Sequence, residues 1–162
     1  MMLLPLTSGL TLSMPNIVID SREQRPYSFG LPSVVTALPT GDYSLVGLES
    51  MAAIERKELS DLINCITFKR ARFERELDRA SSFRRFWVLI EGTIDQIERG
   101  KYRSKVSSES VLGSIAAWEN RYNVRFVFAG NRQTGERTAK RLLIHAWKEI
   151  MKPSSRTIPE VV

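Results

Sequence analysis

Short apolar runs that alternate with longer helix-type segments are the feature that most restricts the fold of this chain. The runs at 86–90 (FWVLI) and 124–128 (VRFVF) are rich in β-formers and bounded by charge or glycine, as buried strands are. Residues 16–23 (NIVIDSRE) begin with a third apolar run and end in charge. Strands alternating with helices predict an α/β fold, a three-layer sandwich with a mixed central β-sheet flanked by helices.

Four segments are predicted to be helical. The first, 58–82, is broken near Thr67, and a short helix covers 95–99 after Gly92. The third begins at Ser107 or Ser108, either of which can cap it, and ends at about Tyr122. Its expected apolar face is Leu112, Ile115, Ala116 and Trp118, with Trp118 in the core. The last helix, about 134–151, has an inward stripe that indicates core packing or a dimer interface: Ala139, Leu142, Leu143, Ala146, Trp147 and Ile150, extended by Met151.

Residues 43–56 (YSLVGLESMAAIER) have the pattern of a β-hairpin with its turn at 47–50. A hairpin returns the chain to its starting edge, so Glu55 is expected beside Asp42 despite the twelve residues between them. Side chains alternate along a strand, so Glu55 and Lys57 share one face while Arg56 points to the other. Two carboxylates and a lysine placed this way can hold Mg²⁺ or Mn²⁺ beside a phosphodiester and activate a water.

A second acidic cluster weighs against the simpler alternative, in which the E-R-K triplet is part of a solvated surface. Asp20 and Glu23, with Arg22 between them, follow the apolar run of 16–23. A buried strand would present such residues at its carboxyl end, where it opens into a site. Acidic positions at the ends of successive predicted strands favour a functional site.

Five collinear motifs extend over roughly residues 15–150: V-I-D-S-R-E at 18–23, L-P-T-G-D-Y at 38–43, I-E-R-K-x3-D at 54–61, R-F-x-x-E at 72–76 and L-I-E-G at 89–92. Together they resemble the nuclease domain of XPF-type structure-specific endonucleases, within the PD-(D/E)xK group of metal-dependent nucleases. The resemblance implies a restriction-endonuclease-like core. It also implies cleavage of branched DNA, such as flaps, forks and junctions, near a duplex to single-strand transition.

The resemblance also implies a role for each matching residue. Asp42 and Glu55 would be the principal metal ligands, with the backbone carbonyl of Arg56 as a third, and Lys57 would be the catalytic lysine. Asp20 and Glu23 would complete the acidic cluster or bind a second ion, which makes them catalytic candidates too. The residues expected to support the site or contact phosphate are Arg22, Arg56, Asp61, Arg72 and Glu76.

This sequence departs from the family pattern in two places. The R-F-x-x-E element ends in Glu76 where the family often has Gln, which leaves the role of that position open. The tandem helix-hairpin-helix module that usually follows the nuclease domain is not found in the sequence. DNA affinity is therefore expected to come from basic patches on this domain or from a partner.

The net charge of +6 and the pI near 9.8 imply an anionic partner, of which nucleic acid is the usual one. Basic residues are concentrated in 69–85, which could track phosphates or be a solvated helix with Arg72 and Glu76 as an i,i+4 pair. The loop at 99–105 contains Lys101, Arg103 and Lys105 as candidate DNA contacts, and Tyr102 could stack on a base. The alternative for this loop is a plain solvated connection.

Several other chemistries have little support in the sequence. The single cysteine, Cys65, cannot form an internal disulfide or a zinc cluster and is expected to be buried. His145, the only histidine, is expected to face solvent or pack, and the P-loop pattern of nucleotide-binding proteins does not occur. We expect a disordered leader (1–14), a nuclease domain (15–152) and a disordered tail (153–162), with no signal peptide or membrane span.

The sequence therefore predicts an intracellular, DNA-associated Mg²⁺- or Mn²⁺-dependent endodeoxyribonuclease that acts on branched or structured DNA. Its expected partners are DNA and either a second copy of the chain or another protein of nuclease fold. One alternative is a non-catalytic DNA-binding or scaffold subunit that pairs with an active partner. Another is a junction resolvase or sequence-specific nuclease that shares only the PD-(D/E)xK core.

Overall fold

The computed structural model describes residues 14–153. Apart from Met14 and Pro153, the expected leader and tail lie outside the described residues. The strands are β1 (Ile17–Asp20), β2 (Ser33–Thr36), β3 (Tyr43–Leu45), β4 (Ala52–Glu58), β5 (Arg85–Glu91) and β6 (Arg125–Phe128), and the helices are α1 (Leu59–Ile66), α2 (Arg70–Ala80), α3 (Ile94–Glu98), α4 (Ser108–Tyr122) and α5 (Arg132–Ile150).

The strands form one mixed sheet in the order β2-β1-β3-β4-β5-β6. The β1–β3 and β3–β4 pairs are antiparallel, and the β1–β2, β4–β5 and β5–β6 pairs are parallel. Strands β3 and β4 form the predicted hairpin, with Tyr43 opposite Ile54. This register is what positions the candidate site.

Helices cover both faces of the sheet, as the sequence predicts. Helices α1 to α4 enclose one apolar core, and α5 encloses a second core on the opposite face. Strand β5 contributes to both, because Val88 and Ile90 face the first core while Trp87 and Leu89 face the second. A strand buried on both faces reads as a continuous apolar run, which explains the sequence pattern at 86–90. The three-layer α/β prediction is confirmed.

Strand β2 is the element that the sequence analysis missed. It is the edge strand opposite β6 and is exposed along its whole length, with Val35 68% exposed. A four-residue edge strand has no buried face, so it leaves no alternation of apolar and polar residues to detect. Its parallel pairing with β1 extends the sheet beyond the expected strands.

The predicted helix features agree with the structure except on α4 and at the end of α5. The break near Thr67 separates α1 from α2, and Ser107 caps α4. The buried face of α4 is Val111, Ile115 and Trp118, whereas Ala116 is exposed. The expectation for Ala116 is wrong because the stripe runs at i, i+4 and i+7 from Val111, and the residue after Ile115 is rotated out of it by roughly 100°.

Helix α5 packs through a narrower stripe than the sequence suggests. Its fully buried residues are Gly135, Ala139, Leu143 and Ala146, while Met151 beyond its end is 53% exposed. Leu142, Trp147 and Ile150 pack against the core at its margin. Neither α5 nor any other helix within residues 14–153 combines the length and apolar character needed to cross a membrane.

Candidate functional site

The hairpin holds Asp42 against the strand that contains Glu55. The N–H of Asp42 donates to the carbonyl of Ile54 at 2.8 Å, and the N–H of Arg56 donates to Oδ2 of Asp42, also at 2.8 Å. Gly41 makes this approach possible, because it has φ +92° and a Cβ there would lie 3.1 Å from the Cβ of Ala53. Asp42 and Glu55 are thus brought together from sequence positions far apart.

Glu55 and Lys57 share one face of β4. Nζ of Lys57 lies 3.2 Å from Oε1 of Glu55, and each side chain is only 13% exposed. The ammonium also lies 4.9 Å from the centre of the Phe73 ring. Lys57 is therefore held between a carboxylate and an aromatic face, next to the carboxylates of the hairpin.

Arg56 points to the other face of β4, where it fills a network of buried groups. Its guanidinium pairs with the carboxylate of Glu91, donates to the carbonyl of Arg25 at 2.8 Å and lies 4.4 Å from the centre of the Tyr27 ring. Tyr27 also donates its hydroxyl to Glu91 at 2.8 Å. Sequence reasoning gave Glu91 no role, although it belongs to the L-I-E-G motif that signals it. This network fixes the end of β4 that presents Glu55 and Lys57.

Glu23 belongs to the Arg56 side of the sheet. It accepts a hydrogen bond of 2.7 Å from the hydroxyl of Tyr43 and lies 3.4 Å from Nη1 of Arg56. It lines a cavity that also includes Arg56 and Asp61 but not Asp42 or Glu55. Glu23 is therefore held by Tyr43 and Arg56, and its charge also acts on Asp42, whose pKa it raises.

Asp20 is more buried than Glu23 and lines the same cavity as Asp42. It is 2% exposed, and its carboxylate accepts from Nε of Arg22 at 2.9 Å and from the N–H of Leu38 at 2.8 Å. Burial raises the pKa of Asp20, but the bonds from Arg22 and Leu38 outweigh it and the net pKa is lowered. Asp20 stays ionised, with its oxygens already committed to protein donors.

Two cavities meet at Glu55. One, of about 210 Å³, contains Lys57 and Asp61, and the other, of about 280 Å³, contains Asp20, Arg22 and Asp42. Both are lined by Glu55, Arg72 and Glu76. The first is completed by Cys65, Lys69 and Phe73, and the second by Pro39, Thr40, Gly41 and Arg79. The two cavities therefore share Glu55, Arg72 and Glu76, and together they form a groove that cationic side chains also line.

The carboxylates of this groove repel one another. Burial, with the charges of Glu23 and Glu76, raises the pKa of Asp42 to about 7. Burial also raises the pKa of Glu55, and the neighbouring Asp42 and Glu76 charges raise it further. Burial lowers the pKa of Lys57, but the surrounding acidic groups, Glu55 first, raise it by more, so it remains an ammonium. Lys57 alone does not neutralise this acidic cluster.

The donor set fits a hard divalent cation. Asp42 and Glu55 supply carboxylate oxygens, which Mg²⁺ and Mn²⁺ prefer, and a cation would offset the burial and the mutual repulsion that raise their pKa values. In the part of the chain that the structure describes, no three His, Cys, Asp or Glu side chains converge as a ready metal-binding group. A metal site here needs a third ligand other than these side chains, and the family resemblance implies the backbone carbonyl of Arg56.

The basic residues of α2 differ in their contacts: Arg70 is bound by other side chains of the protein, whereas Arg72 is exposed. Arg70 pairs with Glu74, bonds to Ser114 and lies over the ring of Trp118. The i,i+4 ion pair of this helix is Arg70–Glu74, so the expected pairing of Arg72 with Glu76 is wrong for the described residues. Arg72 instead is exposed at the groove.

The loop before α4 exposes three cations, Lys101, Arg103 and Lys105. Lys101, Tyr102 and Arg103 line a cavity of about 410 Å³ against α1. Tyr102 is partly buried against the first core and donates its hydroxyl to the carbonyl of Val106 at 2.8 Å. Its stacking on a base stays a prediction.

The predictions for the two unusual side chains, Cys65 and His145, are confirmed. Cys65 is a buried free thiol, and burial raises its pKa, which disfavours the reactive thiolate. His145 is exposed on α5, which packs on the opposite sheet face from α1 and α2.

Comparison with known proteins agrees with this geometry. The family model described as the ERCC4 domain matches residues 19–141. The structure of XPF from Aeropyrum pernix has a TM-score of 0.68 at 19% identity, with 91% of this chain and 69% of that chain covered. The structure of XPF from Aeropyrum pernix in complex with DNA has a TM-score of 0.65 at 22% identity, with 88% and 69% covered. A sequence search of curated proteins finds no match. The resemblance to the XPF-type nuclease domain is confirmed, as is the fold.

Proposed function

The chain belongs to the ERCC4 domain family, and we propose that it is a metal-dependent endonuclease that hydrolyses phosphodiester bonds in branched or structured DNA. The convergence of Asp42, Glu55 and Lys57 at the end of the β3–β4 hairpin is the observation that carries this proposal. One of the structures with the same fold is a complex with DNA, which supports DNA as the partner.

Asp42, Glu55 and the carbonyl of Arg56 would hold Mg²⁺ or Mn²⁺. When bound, such an ion lowers the pKa of an attacking water and neutralises charge on the phosphate. Asp20 and Glu23, which the sequence makes candidates for completing the acidic cluster or binding a second ion, also support the site: Asp20 holds Arg22 and Leu38, and Glu23 holds Arg56. Their role toward a second ion stays a prediction.

Lys57 acts as a charged donor and not as a base. Its raised pKa keeps it an ammonium at neutral pH, 3.2 Å from Glu55. A preorganised cation in a partly buried site stabilises the negative charge that develops on a phosphate oxygen, or orients the attacking water. Glu76 lines both cavities beside Glu55 and strengthens the acidic field that keeps Lys57 protonated.

DNA would lie along the groove and contact the cations at its rim. Arg22 and Arg72 line the groove itself, and Asp61 lies at its edge beside Lys57. Lys101, Arg103 and Lys105 form a second exposed cationic patch next to α1. Such contacts give salt-dependent affinity without sequence preference, as structure-specific binding requires.

A non-catalytic subunit of nuclease fold, paired with an active partner, is the second candidate. Loss of an acidic ligand would favour it, but Asp42, Glu55 and Lys57 are all present and face one cavity system. We therefore place this candidate below the enzyme. Pairing with a second copy or with another nuclease-fold protein, inside the cell, is compatible with either role.

The test is a cleavage panel with the purified protein. Labelled flap, fork, four-way junction and plain duplex oligonucleotides of matched sequence are incubated with Mg²⁺, with Mn²⁺ or with EDTA. We expect nicking of at least one branched substrate in the presence of metal and none in EDTA. Failure to cut any substrate with either metal would favour the non-catalytic subunit, and preference for plain duplex would favour a sequence-specific nuclease.

A further inference from the structure

Phe68 is the most exposed large apolar side chain of the described residues. Its exposure is 78%, whereas every other phenylalanine, tyrosine and tryptophan within residues 14–153 is at least partly buried. An aromatic ring in water forgoes the burial free energy that other phenylalanines of this chain obtain. Single exposed apolar residues are common, so the position of Phe68 and its neighbours decide whether it has a role.

The backbone holds Phe68 in a fixed place. The turn between α1 and α2 is closed by hydrogen bonds from the N–H of Thr67 to Ile63 at 3.1 Å and from the N–H of Lys69 to Asn64 at 2.9 Å. The hydroxyl of Thr67 adds a third bond to Ile63 at 3.0 Å. Phe68 lies between these anchored residues, so its ring is presented from a rigid turn.

Phe68 does not line the groove itself, but the turn adjoins it. Lys69, the next residue, and Arg72, one helical turn further, line the cavity that contains Glu55 and Lys57. Both are exposed, and neither makes an ion pair within the described part of the chain. An apolar ring beside two free cations matches a nucleotide, which offers a flat base next to an anionic phosphate.

We propose that Phe68 stacks on an unpaired base of the DNA strand whose phosphate lies in the Glu55 groove, with Lys69 and Arg72 holding the adjacent phosphates. This inference rests on the proposed function and adds to it the residue that recognises an unpaired nucleotide beside the groove. A base inside a duplex is already stacked on its neighbours, whereas an unpaired base has a free face. Phe68 therefore selects DNA that has single-stranded nucleotides next to the cleavage position.

The test is a binding cycle between Phe68→Ala and abasic nucleotides. Flap DNA is prepared with one abasic position, moved stepwise along the single-stranded arm, and affinity is measured by fluorescence anisotropy in EDTA. At one position, wild-type protein should lose about 5- to 150-fold in affinity, the range that base–aromatic stacking supplies. Phe68→Ala should show the same loss on intact flap DNA and no further loss at that abasic position.

Two substitutions separate stacking from general apolar contact. Phe68→Trp should bind intact flap DNA as tightly as wild type, and Phe68→Leu should bind like Phe68→Ala. Met151→Ala is the matched control, because Met151 is also an exposed apolar residue, at 53%, at the end of a helix that packs on the opposite face of the sheet. It should bind as wild type. Thermal unfolding of each variant shows that the fold is intact.

The outcomes distinguish this inference from the proposed function. If wild type cuts no branched DNA in the cleavage panel, the proposed function fails. If wild type cuts but Phe68→Ala binds intact flap DNA normally, or loses affinity equally for flap and duplex, the stacking inference is wrong while the function stands. Full binding by Phe68→Leu would also overturn it. So would loss of self-association in Phe68→Ala with DNA binding unchanged, which would identify a second copy of the chain as the partner of this ring.

Discussion

The backbone N–H of Arg56 donates a 2.8 Å hydrogen bond to Oδ2 of Asp42. The strand that presents Glu55 and Lys57 therefore also fixes the carboxylate that faces them. A slip of one residue in the β3–β4 register would turn Glu55 and Lys57 to the other face and break this bond. The site is thus a property of one hairpin register.

Gly41→Ala should destabilise the protein and lower its activity. A Cβ at this position would meet the Cβ of Ala53 at 3.1 Å and the carbonyl of Ile54 at 3.2 Å. We expect about 1–2 kcal/mol from the left-handed backbone, and about 1–3 kcal/mol more from overpacking. Urea unfolding measures the loss of stability, and nicking of flap DNA under native conditions measures the loss of activity.

Gly47→Ala is the matched control for that substitution. Gly47 has φ +84° but no atom within 4 Å of a built Cβ, so only the backbone contribution of about 1–2 kcal/mol applies. It should leave cleavage unchanged. Equal destabilisation by the two variants would show that the contact between Gly41 and β4 does not constrain Asp42.

Asp42→Asn should stabilise the metal-free protein at alkaline pH. The pKa of Asp42 is raised from 3.8 to about 7 in the folded state. The folded protein therefore binds the proton more tightly than the unfolded chain, and this group lowers stability as pH rises from about 4 to 7. The variant lacks that loss, so its melting temperature relative to wild type should rise across this window and level off above it.

Divalent metal should reverse the difference in melting temperature between Asp42→Asn and wild type. Mg²⁺ or Mn²⁺ binds ionised carboxylates, so it should raise the melting temperature of wild type more at pH 8 than at pH 6. Asp42→Asn should show a much smaller increase at either pH. A metal-induced increase that is equal at the two pH values, or retained in the variant, would contradict the assignment of Asp42 as a ligand.

Arg56 and Glu91 should be strongly coupled in a double-mutant cycle. Both side chains are nearly buried, at 11% and 8% exposed. Removing Arg56 would leave the carboxylates of Glu91 and Glu23 without their cationic partner. Arg56→Met should cost about 3–5 kcal/mol. Arg56→Met with Glu91→Leu should cost less than the sum of the single changes, with a coupling of about 1–3 kcal/mol.

The exposed pair Asp95–Arg99 provides the comparison for this cycle. It is an i,i+4 pair with both side chains 63% exposed, so its coupling should be about 0.3–0.5 kcal/mol. A coupling for Arg56 and Glu91 no larger than this would mean that the network behind β4 does not hold the strand in place.

The hairpin and the three-layer architecture could be predicted from the sequence because both depend on local patterns. The apolar run at 86–90 and the turn residues at 47–50 are visible without a structure. Alternation along β4 likewise assigned Glu55 and Lys57 to one face and Arg56 to the other, as the structure has them. These features need only the two-residue period of a strand.

Contacts between distant elements could not be predicted in the same way. Nothing local to Glu23 indicates that Tyr43 and Arg56 hold it, and nothing local to Glu91 indicates its pairing with Arg56. The exposure of Phe68 depends on the direction of the α1–α2 turn, which composition does not encode. Tyr102 lies in a loop with the composition of a DNA contact, yet its ring is partly buried against the first core.

The most direct test of the account is the metal-dependent nicking of flap DNA by wild type, Glu55→Gln and Lys57→Met at equal protein concentration. Glu55→Gln keeps the size of the side chain but removes the charge of a metal ligand, and Lys57→Met removes the ammonium. Each should lower the single-turnover rate by at least about 100-fold with flap DNA binding retained, and wild type should be inactive in EDTA. Wild-type rates in either variant, or cleavage that persists in EDTA, would contradict the assignment of a metal-dependent active site to this hairpin.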